Sequence, residues 1–144
     1  MGDAQNYANH GRIVPSFHIG VLLPLLANLL WWGYRFIQTA SGDALVALVL
    51  GLALLLLAFT LRVQILTVQD RVIRLEMQLR LRMLLPADLA ERAAGLSVKQ
   101  LVALRFAGDA ELVALVRDVL DGRLVDSKAI KQAVKNWRAD HLRA

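Results

Sequence analysis

The chain contains no cysteine, and among its 144 residues only three are histidine and three proline. Without a thiol it forms no disulfide, holds no thiolate-bound zinc or iron–sulfur cluster, and carries no cysteine nucleophile. Charge of either sign is also scarce in the first 61 residues, where Asp3, Arg12, Arg35 and Asp43 are the whole complement of Asp, Glu, Lys and Arg. What fills the gap is apolar: 57% of the chain, against roughly 45–50% in ordinary globular proteins, with a mean hydropathy of +0.48.

A soluble surface cannot absorb that surplus, and the sequence does not spread it evenly. Between Phe17 and Ile37 only His18 and Arg35 ionise near neutrality, and between Ala44 and Leu61 nothing does. Each stretch approaches or reaches the ~20 residues, at ~1.5 Å rise each, that cross ~30 Å of hydrocarbon. The composition excludes a purely soluble enzyme and predicts an all-α membrane protein.

Residues 1–16, MGDAQNYANHGRIVPS, read as a polar leader without helical period, cytoplasmic or interfacial, stopped by Pro15. The apolar run after it is longer than the 7–15 residues of a signal-peptide core and is expected to stay as a membrane helix. Asn6 stands where a myristoylation motif needs Ser or Thr.

A transmembrane helical hairpin is expected over 17–68, with spans of about 17–38 and 44–66 joined by a turn at Ser41, Gly42 and Asp43. Pro24 removes a backbone donor and invites a kink in the first span. Asn28, near mid-span, needs a hydrogen-bond partner in lipid and is the candidate interhelical polar contact. That partner is a carbonyl freed by Pro24, the second helix, another subunit or a wet path. Trp31, Trp32, Tyr34 and Arg35 near the far end suit a water interface.

The second span need not stop at Arg62. Leu61, Ile65, Val68, Val72, Leu75 and Leu79 recur at alternating spacings of four and three, the seam of a coiled coil and a candidate oligomer surface. Arg62, Arg71, Arg74, Arg80 and Arg82 flank it, and no Gly or Pro interrupts the chain from Leu52 to Leu85. Residues 62–85 therefore read as an amphipathic or coiled-coil extension of the second helix, the competing arrangement being a helix lying on the bilayer.

Pro86 closes the extension, and 86–144 read as a small cytoplasmic helical domain. Its expected helices start near Asp88, at a Ser97 cap and at Gly108–Asp109, the third with an apolar face of Leu112, Leu115, Val116, Val119 and Leu120. A last helix, KAIKQAVKNWRADHLRA, is expected to bury Ile130, Val134, Trp137 and His141. It would align Lys128, Lys131, Lys135 and Arg138 on one face. With Arg62, Arg71, Arg74, Arg80 and Arg82 they are the candidate contacts to an anionic surface, either lipid or nucleic acid. Asp118, Asp121 and Asp126 stand ready to neutralise that stripe.

Orientation follows from Lys and Arg near the spans. The expected turn has none, whereas residues 62–82 hold five arginines, and the whole net charge of +5 lies after Leu61. Both termini are expected in the cytoplasm. No nucleophile motif, phosphate-binding glycine loop or metal-ligand cluster is evident, so no catalytic, cofactor or metal site and no small-molecule substrate is assigned. His10 and His18 read as interfacial hydrogen-bonders.

QNYANHGRIVPSFH before a proline-containing span, an Arg-rich helix after the second span, then LSVKQLVALRFAGDAELVALV and KAIKQAVKNWRADHLR, together resemble a family of small bacterial inner-membrane proteins, a domain of unknown function. The most specific pieces are Gln5, Asn6, Asn9 and His10, with Ile130, Lys131, Trp137, Asp140 and His141. The resemblance implies a two-span protein of the bacterial inner membrane and carries no mechanism.

The expected function is therefore non-enzymatic: a membrane-anchored structural or interaction protein, either a homo-oligomer or an accessory subunit of a larger membrane assembly. The alternatives are an oligomeric pore or transport component, with Asn28 and Arg35 facing its lumen, and a tethered binder of nucleic acid or anionic lipid. The expected partners are the bilayer and copies of the chain or other membrane subunits.

Overall fold

The structure, a computed structural model, describes residues 6–7 and 14–140. Six helices account for the regular structure among them: α1 (Pro15–Thr39), α2 (Gly42–Leu84), α3 (Ala87–Ala93), α4 (Val98–Leu104), α5 (Asp109–Leu120) and α6 (Ser127–Ala133). Both α1 and α2 are long and apolar enough to cross a membrane. The chain divides into two units, residues 12–66 and residues 1–11 with 67–144.

In the first unit, α1 begins with Pro15 in its first turn, where the missing N–H costs nothing. Pro24 is absorbed by a π-helical turn at His18–Leu22, in which the Leu23 N–H bonds to the His18 carbonyl. Widening one turn re-registers the ladder ahead of the proline that cannot donate to it. The helix stops at Ala40, whose backbone is left-handed (φ 44°) and whose N–H returns to Phe36 O. The connection is thus Ala40–Ser41, shorter than expected, because Gly42 and Asp43 already belong to α2. Ser41 Oγ accepts the Ala44 N–H at 3.3 Å, and Asp43 adds negative charge to the first turn.

The second unit is built on the last turns of α2. Ile73, Met77 and Leu81 are 3–5% exposed and share a core with Leu89, Leu101, Leu104, Leu112, Val116 and Ile130. Pro86 precedes α3 in an extended conformation, and Ser97 opens α4 with a reciprocal capping box in which Ser97 Oγ accepts the Gln100 N–H and Gln100 Oε1 accepts the Ser97 N–H. Gly122 follows α5 with φ +75°, the left-handed position that a glycine enters without strain. Asp126 caps α6 by accepting the Ala129 N–H at 2.7 Å.

The last helix is much shorter than its pattern predicts. It ends at Ala133, and Val134 is extended. Glu111 on α5 accepts the Lys135 and Asn136 N–H groups at 3.1 and 3.0 Å. The chain then runs beside the α4–α5 connection, where Asn136 O accepts the Gly108 N–H at 2.9 Å and Phe106 O accepts the Arg138 N–H at 2.7 Å. Gly108 suits that close approach, since a Cβ would stand 3.2 Å from Asn136 O and press on the backbone it pairs with. These tertiary bonds supply what a longer helix would otherwise have supplied, and the local helical preference yields. Ile130 and Val134 are buried as expected, whereas the expectation for His141 lies outside the described residues.

Candidate functional site

The six residues of the expected seam are all exposed. Leu61, Ile65, Val68, Val72, Leu75 and Leu79 range from 48% to 62%. At 3.6 residues per turn they run along the side of α2 nearly opposite to Ile73, Met77 and Leu81. One helix thus presents two apolar rows, of which only one is covered by the chain's own core.

The charged residues around this helix divide differently from the sequence reading. Arg71, Arg74 and Arg82 are exposed, while the Arg62 guanidinium stands 5.6 Å from the centroid of the Phe17 ring. Arg80 is not a surface contact. Its side chain is 11% exposed and bonds to Asp109 Oδ1 through Nε (2.8 Å) and Nη2 (2.6 Å), with Nη2 also 2.6 Å from Ala107 O. The residue lies next to Met77 and Leu81 on the buried face, so its charge is spent on the α4–α5 connection.

The basic stripe of the last helix is likewise redistributed. Lys128 and Lys131 belong to α6, but Lys135 and Arg138 lie in the extended segment after it, so no single helix face carries all four. Lys131 Nζ stands 5.9 Å from the Phe106 centroid and Arg105 Cζ 4.6 Å from it, while the Trp137 ring packs on Phe106 at 5.0 Å. Trp137 Nε1 donates to Val134 O, and Arg105 pairs with Asp140 at 3.2 Å. Of the C-terminal signature, Lys131 and Trp137 therefore stand against Phe106, Asp140 pairs with its neighbour Arg105 and Ile130 is buried in the core, while His141 lies outside the described residues. The sequence pattern anticipates burial for Ile130 and Trp137 and gives no such role to Lys131 and Asp140.

Asp118 and Asp121 do not neutralise α6. Arg123 bridges them at 2.8 and 2.7 Å, and Arg92 approaches Asp121 at 3.4 Å. Hydrogen bonds from Arg123 and then Arg92 hold the Asp121 carboxyl below the usual carboxylate range, and the bond to Asp121 in turn raises Arg123.

In the first unit, Asn28 Oδ1 lies 3.0 Å from the position a Cβ on Gly51 would take, and Gly33 faces Leu48 in the same way at 3.8 Å. A glycine opposite an amide leaves room for the two side chains of the facing helix that a larger residue would push away. His18 Nδ1 lies 2.9 Å from Val14 O. Among the described residues no group of three His, Cys, Asp or Glu is placed to hold a metal ion. The Gln5, Asn9 and His10 part of the leader lies outside them.

Asn6, which is described, borders an open cleft of about 720 Å³ with Gly108, Asn136, Trp137 and Arg138. A second cleft of about 630 Å³ reaches from Glu76, Leu79 and Met83 to Arg138 and Asp140.

No curated protein and no solved structure matches the chain. A family model does match, over residues 1–144. The chain belongs to that family, DUF6526, a family of unknown function.

Proposed function

We propose that the protein is a non-enzymatic, membrane-anchored interaction protein of the bacterial inner membrane, which forms a homo-oligomer or serves as an accessory subunit of a larger membrane assembly. The observation that carries this reading is the second apolar row of α2, left exposed while the opposite row of the same helix closes a complete small core. Val72, Leu75 and Leu79 of that row lie beyond the expected hairpin at 17–68, where contiguous exposed apolar surface marks a site of association.

In this reading α1 and the first part of α2 cross the bilayer as an antiparallel hairpin. Supporting it, Phe17 meets Arg62, Asn28 meets Gly51 and Gly33 meets Leu48, pairs that ascend along one helix while descending along the other. Asn6 and Trp137 border one cleft, which fits termini on the same side of the membrane. The arginines after Leu61 support a cytoplasmic side for them, by the excess of Lys and Arg expected there. An anionic-surface contact draws less support, since Arg80 is engaged inside the fold and the basic stripe is broken at Ala133.

The test is gentle extraction into nanodiscs followed by native mass spectrometry. The expected particle has a protein mass that is a multiple of 16.0 kDa or includes a stoichiometric second protein. A lone 16.0 kDa chain from native membranes overturns the proposal.

A further inference from the structure

We infer that the exposed row of α2 pairs with the same row of a second copy as a parallel two-stranded coiled coil, in which Arg71 of one copy faces Glu76 of the other. The inference rests on the homo-oligomer form of the proposed function and specifies its geometry and stoichiometry.

The register leaves little choice. With Val68 and Leu75 at d and Val72 and Leu79 at a, Ile65 falls at a and Leu61 at d. Two of the three a positions are β-branched and two of the three d positions are Leu, the distribution that favours two strands over three or four. In the same register Arg71 is a g residue and Glu76 the following e residue. That spacing brings opposite charges together across a parallel pair, once on each side of the seam. Both side chains are exposed, and neither makes an ion pair within the chain among the described residues. Of the other flanking positions, Gln64, Gln69, Gln78 and Met83 carry no charge and Arg62, at e, stands opposite Leu57 at g; the next d position is Arg82, so the apolar seam ends at Leu79.

Copies anchored in one bilayer with one topology present their helices parallel, and confinement to the membrane raises their effective concentration. A short seam therefore suffices where it would not in free solution. The buried row of Ile73, Met77 and Leu81 is already satisfied within each copy, so pairing needs no rearrangement of the core.

The absence of cysteine makes the test direct. Single variants Leu75→Cys, on the seam, and Arg74→Cys, exposed but off it, are oxidised as full-length chains in native membranes. The expected result is strong covalent dimer at 75 and little at 74. In the Leu75→Cys background, Arg71→Glu is expected to lower the dimer yield severalfold and Arg71→Glu with Glu76→Arg to restore it. Equal yields at 74 and 75, or a charge swap that fails to restore pairing, overturn the inference. Quenching of a fluorophore at 75 by nitroxide-bearing lipid, without crosslinking, assigns the face to the bilayer and overturns it too. If native mass still shows an oligomer in either case, only the coiled coil is lost. A lone chain loses the proposed function with it.

Discussion

Arg80 donates two hydrogen bonds to a single carboxylate oxygen of Asp109, across 29 residues of sequence. The same guanidinium reaches Ala107 O and, at 3.3 Å, Arg105 O, so one side chain serves the end of α4, the connection and the start of α5. Asp109 is exposed and its charge is screened, so the ion pair alone adds little. The carbonyls matter more, because they lose a charged donor in a part-buried place.

Arg80→Ala is therefore expected to destabilise the second unit by about 1–3 kcal/mol, the range for orphaning buried acceptors. Arg80→Lys should recover only part of it, since an ammonium cannot span the acceptors that the planar fork meets. Chemical denaturation of the full chain in micelles measures both. Equal midpoints for wild type and Arg80→Ala would mean that the cluster is ornamental.

Glu111 gives a second prediction. Its two carboxylate oxygens hold the Lys135 and Asn136 amides, and with them the turn that stops α6. Glu111→Ala is expected to release residues 134–140 and speed amide exchange at 135 and 136. Trp137 emission should shift to the red in a background where Trp31 and Trp32 are replaced by Phe. Unchanged exchange at those two amides would show that Phe106 and Trp137 hold the segment unaided.

Much of the architecture is legible locally, and what escapes is long-range. The Ser97–Gln100 capping box, the stop at Pro86 and the left-handed Gly122 are each written within a few residues. The end of α6 is not, because KAIKQAVKNW keeps a helical period throughout and the groups that break it, Glu111 and Phe106, lie more than 20 residues upstream. The burial of Arg80 is long-range too, since its partners Ala107 and Asp109 lie more than 25 residues downstream; its local sign is the parallel row Ile73, Met77, Leu81 and Leu85 at spacings of four. Arg80 lies at the edge of that row, about 20° from Ile73 around the helix. Gly51 offered no such signal, since a glycine among leucines says nothing about which residue faces it.

The contact at Gly51 yields a third prediction. Asn28 Oδ1 is the end of a side chain that can turn, so Gly51→Ala should be tolerated with a small shift of the amide. Gly51→Leu should not be, because the Cβ position already meets Asn28 Oδ1 at 3.0 Å and Leu29 at 3.5 Å, and three further carbons would have to fit beyond it. A cysteine pair at Gly33 and Leu48 reports the outcome, since a Cβ on Gly33 would stand 3.8 Å from Leu48 Cδ1. Intramolecular crosslinking of that pair is expected to survive Gly51→Ala and to fall severalfold in Gly51→Leu. Equal crosslinking in all three chains would remove the close approach from the account.

The last prediction concerns acid. Asp121 titrates below its ordinary range because Arg123 and Arg92 hydrogen-bond its charged form. A carboxyl depressed in the folded chain binds its proton more readily once unfolded. Its contribution is therefore complete above the unfolded value, near pH 4, and is lost as pH falls through the lower folded value. Asp121→Asn should thus unfold more easily than wild type at pH 6, with the difference closing below about pH 4. The effect is expected to be small, since Asp121 and both arginines face solvent and salt screens them. Raising salt at pH 6 should narrow the gap between the two chains as acid does. A gap that persists unchanged at pH 3 would place the role of Asp121 in the backbone turn after α5 rather than in its charge.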